Sequence, residues 1–205
     1  MDSHFETDKF PFIKAKNFRK VDGSRHVRVI VIHDMEFPET ANAAEVIAKD
    51  FANTSDPRSA HLCIDSDSIV QCVLDNNVAF AAPGANHDGI QIELAGFAKQ
   101  TREQWLDPFG VLLLDKAANA TAQYCLKYGI PVRQLTNEQL ADGESKGIVG
   151  HRQVSLVFNK STHMDPGPNF PWDFFLKRVQ QHFDERARKF GLLPASEIAP
   201  APVPA

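Results

Sequence analysis

VRVIVIHD, residues 27–34, is the stretch that decides the architecture. Val27–Ile32 is a β-branched run, the pattern of a strand buried on both faces rather than one half-exposed to water. Such strands belong to α/β folds with helices covering the sheet. The run ends on His33, which therefore stands at the C-terminal edge of a central strand, where open α/β sheets gather their ligands.

Working outward, residues 1–25 are polar and mixed, with Pro11 and several lysines, and read as an extended arm on the surface. On the other side, apolar residues at 44, 47, 48 and 51 share one helical face, with Thr40 as N-cap and Pro57 beyond the stop. His61–Asp65 and Ile69–Leu74 alternate around Ser66-Asp67-Ser68 and predict a β-hairpin. Gly89–Leu94 (GIQIEL) predicts a strand with Ile90, Ile92 and Leu94 on one face and Gln91 and Glu93 on the other. Thr101–Gln104 and Thr136–Gln139 have capping-box form. A long helix is predicted over 109–128, after Pro108 and stopped by Gly129. Ile148–His151 reads as a short strand ending in a second histidine, and Pro171 as the N1 residue of a last helix that stops at Gly191. The expectation is a single α/β domain over 26–191, a central mixed sheet flanked by helices. An Ala/Pro-rich tail or linker follows over 192–205.

Composition limits the function. The 205 residues carry 43% hydrophobic and 23% charged side chains and a net charge of -4, an ordinary globular balance. The 22 basic residues are scattered among 26 acidic ones, so no nucleic-acid partner is expected. No apolar run approaches the roughly 20 residues that span a bilayer, so no membrane partner is expected either. The N-terminus, MDSHFETD, lacks the basic and apolar regions of a secretory signal. Three cysteines without a CxxC pair argue against a disulfide framework; Cys63 and Cys72 flank the hairpin turn and read as reduced core thiols. Nothing points beyond a monomer.

The chemistry lies in three separated pieces. VIVIHD and GIVGHR each end on a histidine, His33 and His151, and Asp165 follows in HMDPGP. Two histidines and a carboxylate are a usual ligand set for catalytic zinc, with water in the fourth position. Singly each is weak: a histidine at a strand end is more often structural, and an aspartate before Pro-Gly more often shapes a turn.

Four blocks in order resemble the amidase-2 family of N-acetylmuramoyl-L-alanine amidases, the phage-lysozyme, recycling-amidase and peptidoglycan-recognition type. They are VIVIHD through Asp34, SAHLCID over 59–65, NHDGIQIELAG over 86–96, and GHR at 150–152 with THMDPGPNFPW over 162–172. The last is similar to the family's K-x-D-P-G-P-x-F-x-W. The resemblance spans about residues 27–180 and implies the amidase fold, a Zn2+ cofactor held by His33, His151 and Asp165, and peptidoglycan as substrate. It places Glu93 beside the metal water as acid/base, and His163 where the family has a lysine that stabilises the oxyanion. A histidine ordinarily titrates near 6.5, so that role would weaken above neutrality. His61 reads as a structural or groove-lining histidine rather than a ligand, His87 as a candidate for the substrate groove, and Asn86 either contacts substrate or only shapes its loop. Trp172 and Phe170 read as core.

The chain also departs from the family pattern. Ala60 stands where some members have a catalytic tyrosine, Gly89 replaces the usual serine, and Gln91 replaces a glycine. The resemblance leaves three readings: an enzyme cutting the amide between N-acetylmuramic acid and L-alanine, a muropeptide binder that does no chemistry, and a cytoplasmic recycling amidase. A phage endolysin, or its catalytic domain, would be made in the host cytoplasm and reach the wall after holin-type release.

Overall fold

The computed structural model describes residues 9–193; the tail from 194 and the first eight residues of the arm lie outside them. The elements in chain order are β1 (Val29–Asp34), α1 (Ala43–Asn53), β2 (Leu62–Ile64), β3 (Ile69–Gln71), β4 (Gly89–Leu94), α2 (Arg102–Trp105), α3 (Pro108–Tyr128), α4 (Asn137–Ala141), β5 (Gly147–Gly150), α5 (His151–Phe158) and α6 (Trp172–Lys189). The strands form one mixed sheet in the order β3-β2-β4-β1-β5. β1 runs parallel to β4 and β5, β2 runs parallel to β4, and only the β2–β3 hairpin is antiparallel.

All six residues of β1 are buried, because both faces of the sheet are covered. Ile30, Ile32, Leu62, Ile90 and Ile92 pack with Leu113, Leu114, Phe175 and Val179 of α3 and α6. Burial of each such side chain contributes about 1.5–3 kcal/mol. On the opposite face Cys63 packs with Ala44, Ala48 and Phe51 of α1, and Val29 and Val31 with Leu140 and Val154 of α4 and α5. The result is three layers, helix on sheet on helix. Among the described residues no helix is long and apolar enough to cross a membrane.

Local chemistry shifted several expected boundaries. β1 starts at Val29 because Arg28, only 2% exposed, turns its guanidinium to Asp88, Ser145 and Leu140. Asn42, not Thr40, is the N-cap of α1. Pro108 does not interrupt α3 but starts it, behind Asp107, whose carboxylate accepts from Gly110 N at 2.8 Å. Pro171 is the N-cap of α6 rather than its first residue. His151 does not end a strand; it opens α5, a helix the periodicity did not predict.

The arm over 9–25 does more than lie on the surface. Ile13 N donates to Gln71 O at 2.9 Å and Gln71 N donates to Pro11 O at 2.8 Å, so the arm covers the free edge of β3. Arg25 near its end is buried, 9% exposed. Cys63 and Cys72 are buried free thiols whose sulfurs lie 3.8 Å apart.

Candidate metal centre

The sheet register brings the two histidines together. Ile32 of β1 pairs with Gly150 of β5, so His33 and His151 leave neighbouring strand ends side by side. Asp165 reaches them from the loop before α6, pinned by Arg152 N donating to its carbonyl at 2.9 Å. Gly167 turns that loop at φ 89°, and a Cβ there would lie 1.9 Å from Ala98 O. The D-P-G-P block therefore needs its glycine both for the left-handed backbone and for the close approach to the loop after β4.

The Asp165 carboxylate sits between the rings: Oδ2 is 3.0 Å from His33 Nδ1 and Oδ1 is 3.1 Å from His151 Nδ1. One donor atom from each of the three residues lies within 4.8 Å of the others, and all three residues are buried. The two rings meet edge to face at 4.6 Å. The far nitrogens are also engaged, His33 Nε2 with Gln91 Oε1 at 2.9 Å and His151 Nε2 with Ser161 Oγ at 3.2 Å. Metal-ligating histidines characteristically have such outer partners. Three converging donors with oriented rings fit a divalent cation that takes nitrogen and oxygen ligands.

Electrostatics point the same way. Burial opposes protonation of His33, but the nearby Glu93 and Asp165 carboxylates outweigh it and hold its pKa up at about 9. Burial alone would raise Asp165, yet hydrogen bonds from His151 and His33 hold it well below the usual carboxylate range. Burial lowers His151. Before any metal binds, the centre thus attracts a proton, and it would attract a cation for the same reason. Glu93 pairs with His33 in the β1–β4 register. Burial raises its carboxyl to about 7, against the opposing charge of His33. Its Oε2 is buried with no hydrogen-bond partner, an orphan that a cation or its water would satisfy.

These residues line a groove of about 420 Å³ that also takes in Asn86, Phe80, Arg58 and His163. A larger cleft, about 690 Å³ between the arm and α3, contains no histidine and is remote from this chemistry. His163 is exposed, with its ring stacked on His151 at 4.5 Å and its Nδ1 3.6 Å from Asp165 Oδ1.

Of the three residues considered for the groove, His61 and His87 stand outside it and Asn86 lines it. His61 does not reach it: the side chain is fully buried, with Nε2 3.1 Å from Asn77 O and Nδ1 accepting from Gln91 N at 2.9 Å. Burial, then the Arg25 charge, lowers its pKa to about 3, so it is a neutral core histidine. His87 is exposed outside the groove, 2.8 Å from an Arg19 guanidinium nitrogen. Asn86 lines the groove, and its Oδ1 accepts from Ala81 N and Ala82 N at 3.0 and 2.7 Å, which shapes the loop.

Two residues beside the candidate ligands, Asp34 and Gln91, stood in the quoted blocks without a role assigned to them. Asp34 follows His33 directly, is buried with an unpartnered Oδ2, and is raised to about 8 by burial. Gln91 supports His33 from behind.

A family description for N-acetylmuramoyl-L-alanine amidase matches residues 23–168. No curated protein matches the chain significantly. Among solved structures, the hydrolase AmiA of Staphylococcus aureus in complex with its ligand is similar at 16% identity, with a TM-score of 0.67 over 93% of this chain and 89% of that one. A mutant endolysin from Bacillus subtilis superposes with a TM-score of 0.56 at 14% identity, covering 84% of this chain and 99% of that one. The endolysin amidase LysCS from Clostridium intestinale URNW gives 0.52 at 16% identity, over 82% and 95%. At these identities the likeness shows a shared fold.

Proposed function

The chain belongs to the N-acetylmuramoyl-L-alanine amidase family, and we propose that it is a zinc amidase that hydrolyses the amide between N-acetylmuramic acid and L-alanine in peptidoglycan and so lyses cell walls. The observation that carries this reading is the buried convergence of His33, His151 and Asp165 beside an unpartnered Glu93 carboxylate oxygen. Zinc held by these three residues would supply a water of pKa near 7 and polarise the scissile carbonyl.

The chain's own residues supply the rest. Glu93 takes the proton of the attacking water and returns it to the departing amine of L-alanine. Its buried position keeps its affinity for protons high enough to do both. His163, at the rim of the groove, donates to the oxyanion as the tetrahedral intermediate forms. Phe80 and Phe51 wall the groove and exclude water from the reacting amide. A wall-lytic enzyme of this kind needs neither a nucleic-acid nor a membrane partner and works as a monomer. As an endolysin it would reach the wall from the cytoplasm through holin-type pores.

Two results are expected. Purified protein should hold about one zinc per chain, clear a suspension of sacculi, stop when chelated, and resume when zinc is returned. Protein that binds sacculi with full zinc and never clears them would overturn the enzyme in favour of a binder. His163→Ala should lower kcat about tenfold with zinc content unchanged, less than the roughly 10²–10³-fold of a preorganised oxyanion donor because the side chain is 65% exposed. Equal rates for both proteins at every pH would rule the role out.

A further inference from the structure

Two departures from the family's S-I-G-I-E pattern, Gly89 and Gln91, meet behind the first metal ligand. We infer that Gln91 is a positioning residue that fixes the tautomer and rotation of His33 for metal binding, and that Gly89 is small because Gln91 occupies the space beside it. The inference rests on the metal centre proposed above.

The hydrogen bonds leave one assignment. Gln91 Nε2 lies 2.9 Å from Ala85 O, and a carbonyl only accepts. The amide NH2 must therefore face Ala85, which turns Oε1 toward His33 Nε2 at 2.9 Å. Oε1 also only accepts, so His33 Nε2 carries the hydrogen. Nδ1 is then the nitrogen left for a metal, and it is Nδ1 that faces Asp165 at 3.0 Å.

Gln91 is itself held rigidly. Its side chain is fully buried. Its backbone N–H donates to His61 Nδ1 at 2.9 Å, and its carbonyl accepts from His61 N at 2.9 Å. His61 Nδ1 is thereby an acceptor, so His61 Nε2 carries the hydrogen and donates to Asn77 O at 3.1 Å. The chain from His33 through Gln91 ends on Ala85 and, through its backbone and His61, on Asn77, both backbone carbonyls that cannot reverse their role. This gives His61 its place: it steadies the strand that steadies the ligand.

Gly89 completes the arrangement. A Cβ there would stand 2.3 Å from Ala85 O and 2.7 Å from Gln91 Nε2, at the joint where the amide is anchored. Any other residue at 89 would press on the Ala85 carbonyl and on the Gln91 amide bound to it. The serine and glycine of the family pattern have exchanged bulk in this chain: the small residue stands at 89 and the long one at 91.

The test uses the full chain, Gln91→Met, and two readouts apart from activity. Methionine has similar volume but offers no comparable acceptor. Zinc affinity measured against a competing chelator should weaken about 10–100-fold in Gln91→Met. In zinc-loaded wild-type protein, nitrogen-15 histidine spectra should show His33 protonated at Nε2 with Nδ1 on the metal. The Nε2–H signal should broaden by solvent exchange in Gln91→Met. Equal zinc affinities in the two proteins, or a wild-type spectrum with the proton on Nδ1 and the metal on Nε2, would overturn the inference while leaving the metal centre standing. The wild-type spectrum decides this even if Gln91→Met fails to fold. A wild-type chain that binds no zinc would bring down the metal centre itself, and the inference with it.

Discussion

Asp165→Ala is expected to lose zinc and to cut amide hydrolysis by about 10³-fold or more, well beyond the roughly 10–100-fold typical of an outer-shell change. Among the described residues, Asp165 is the carboxylate in contact with both candidate ligand histidines, at 3.0 and 3.1 Å, and it brings negative charge to a site otherwise made of two imidazoles. Without it the nitrogens keep no anionic partner between them, and two neutral histidines alone make a weak zinc site. Atomic absorption on dialysed protein, with sacculus clearing on the same samples, measures both effects. Full zinc and full rate in Asp165→Ala would remove this residue from the centre.

The same electrostatics set a pH dependence. Before metal binds, His33 keeps its proton below about 9 because Glu93 and Asp165 outweigh its burial. Zinc must displace that proton, so affinity should rise with pH, by about tenfold per unit between 7 and 9, and level off once His33 is neutral.

Glu93→Gln is expected to retain zinc and lose about 10²–10⁴-fold in kcat. The amide keeps the shape of the carboxyl but can neither accept the proton of the attacking water nor pass it to the leaving amine. Only the ionised carboxylate serves as base, so wild-type activity should rise with pH through the titration of Glu93. Burial places that titration near 7 before metal binds, and a cation beside the carboxylate pulls it lower. The acid limb due to Glu93 should vanish from the kcat/KM profile of Glu93→Gln. A variant within threefold of wild type at full zinc would show that another group moves the proton.

Much of the fold was legible because its signals are local. VIVI reads as a buried strand from its β-branched run, and Gly129 ends α3 through its left-handed backbone. The boundaries that moved were decided by side chains competing for backbone groups, as where Asp107 rather than a later residue caps α3. α5 was missed because GIVG runs straight into it. His151 is both the first residue after the strand and the first of the helix, with no capping side chain to announce the change. The candidate ligands were named through resemblance, since no local pattern says that Ile32 will pair with Gly150 and so join His33 to His151.

The groove residues fared less well for a physical reason. The sequence left His61 structural or groove-lining, and its neighbours Asn77 and Gln91 claim both ring nitrogens and hold it in the core. Nor does the sequence tell which groups a loop asparagine satisfies, and Asn86 spends its carbonyl oxygen on two backbone donors. Gln91 was visible only as a departure from pattern; its meaning depends on Ala85 O and His33 Nε2 standing on either side of its amide.

The central claim is which bond is cut. Intact sacculi digested with the zinc-loaded protein, and the released ends mapped by mass spectrometry, test it most directly. The account predicts new L-alanine amino termini paired with free lactyl carboxylates on N-acetylmuramic acid, and none of either with Asp165→Ala. New D-alanine termini or sugar reducing ends would contradict it.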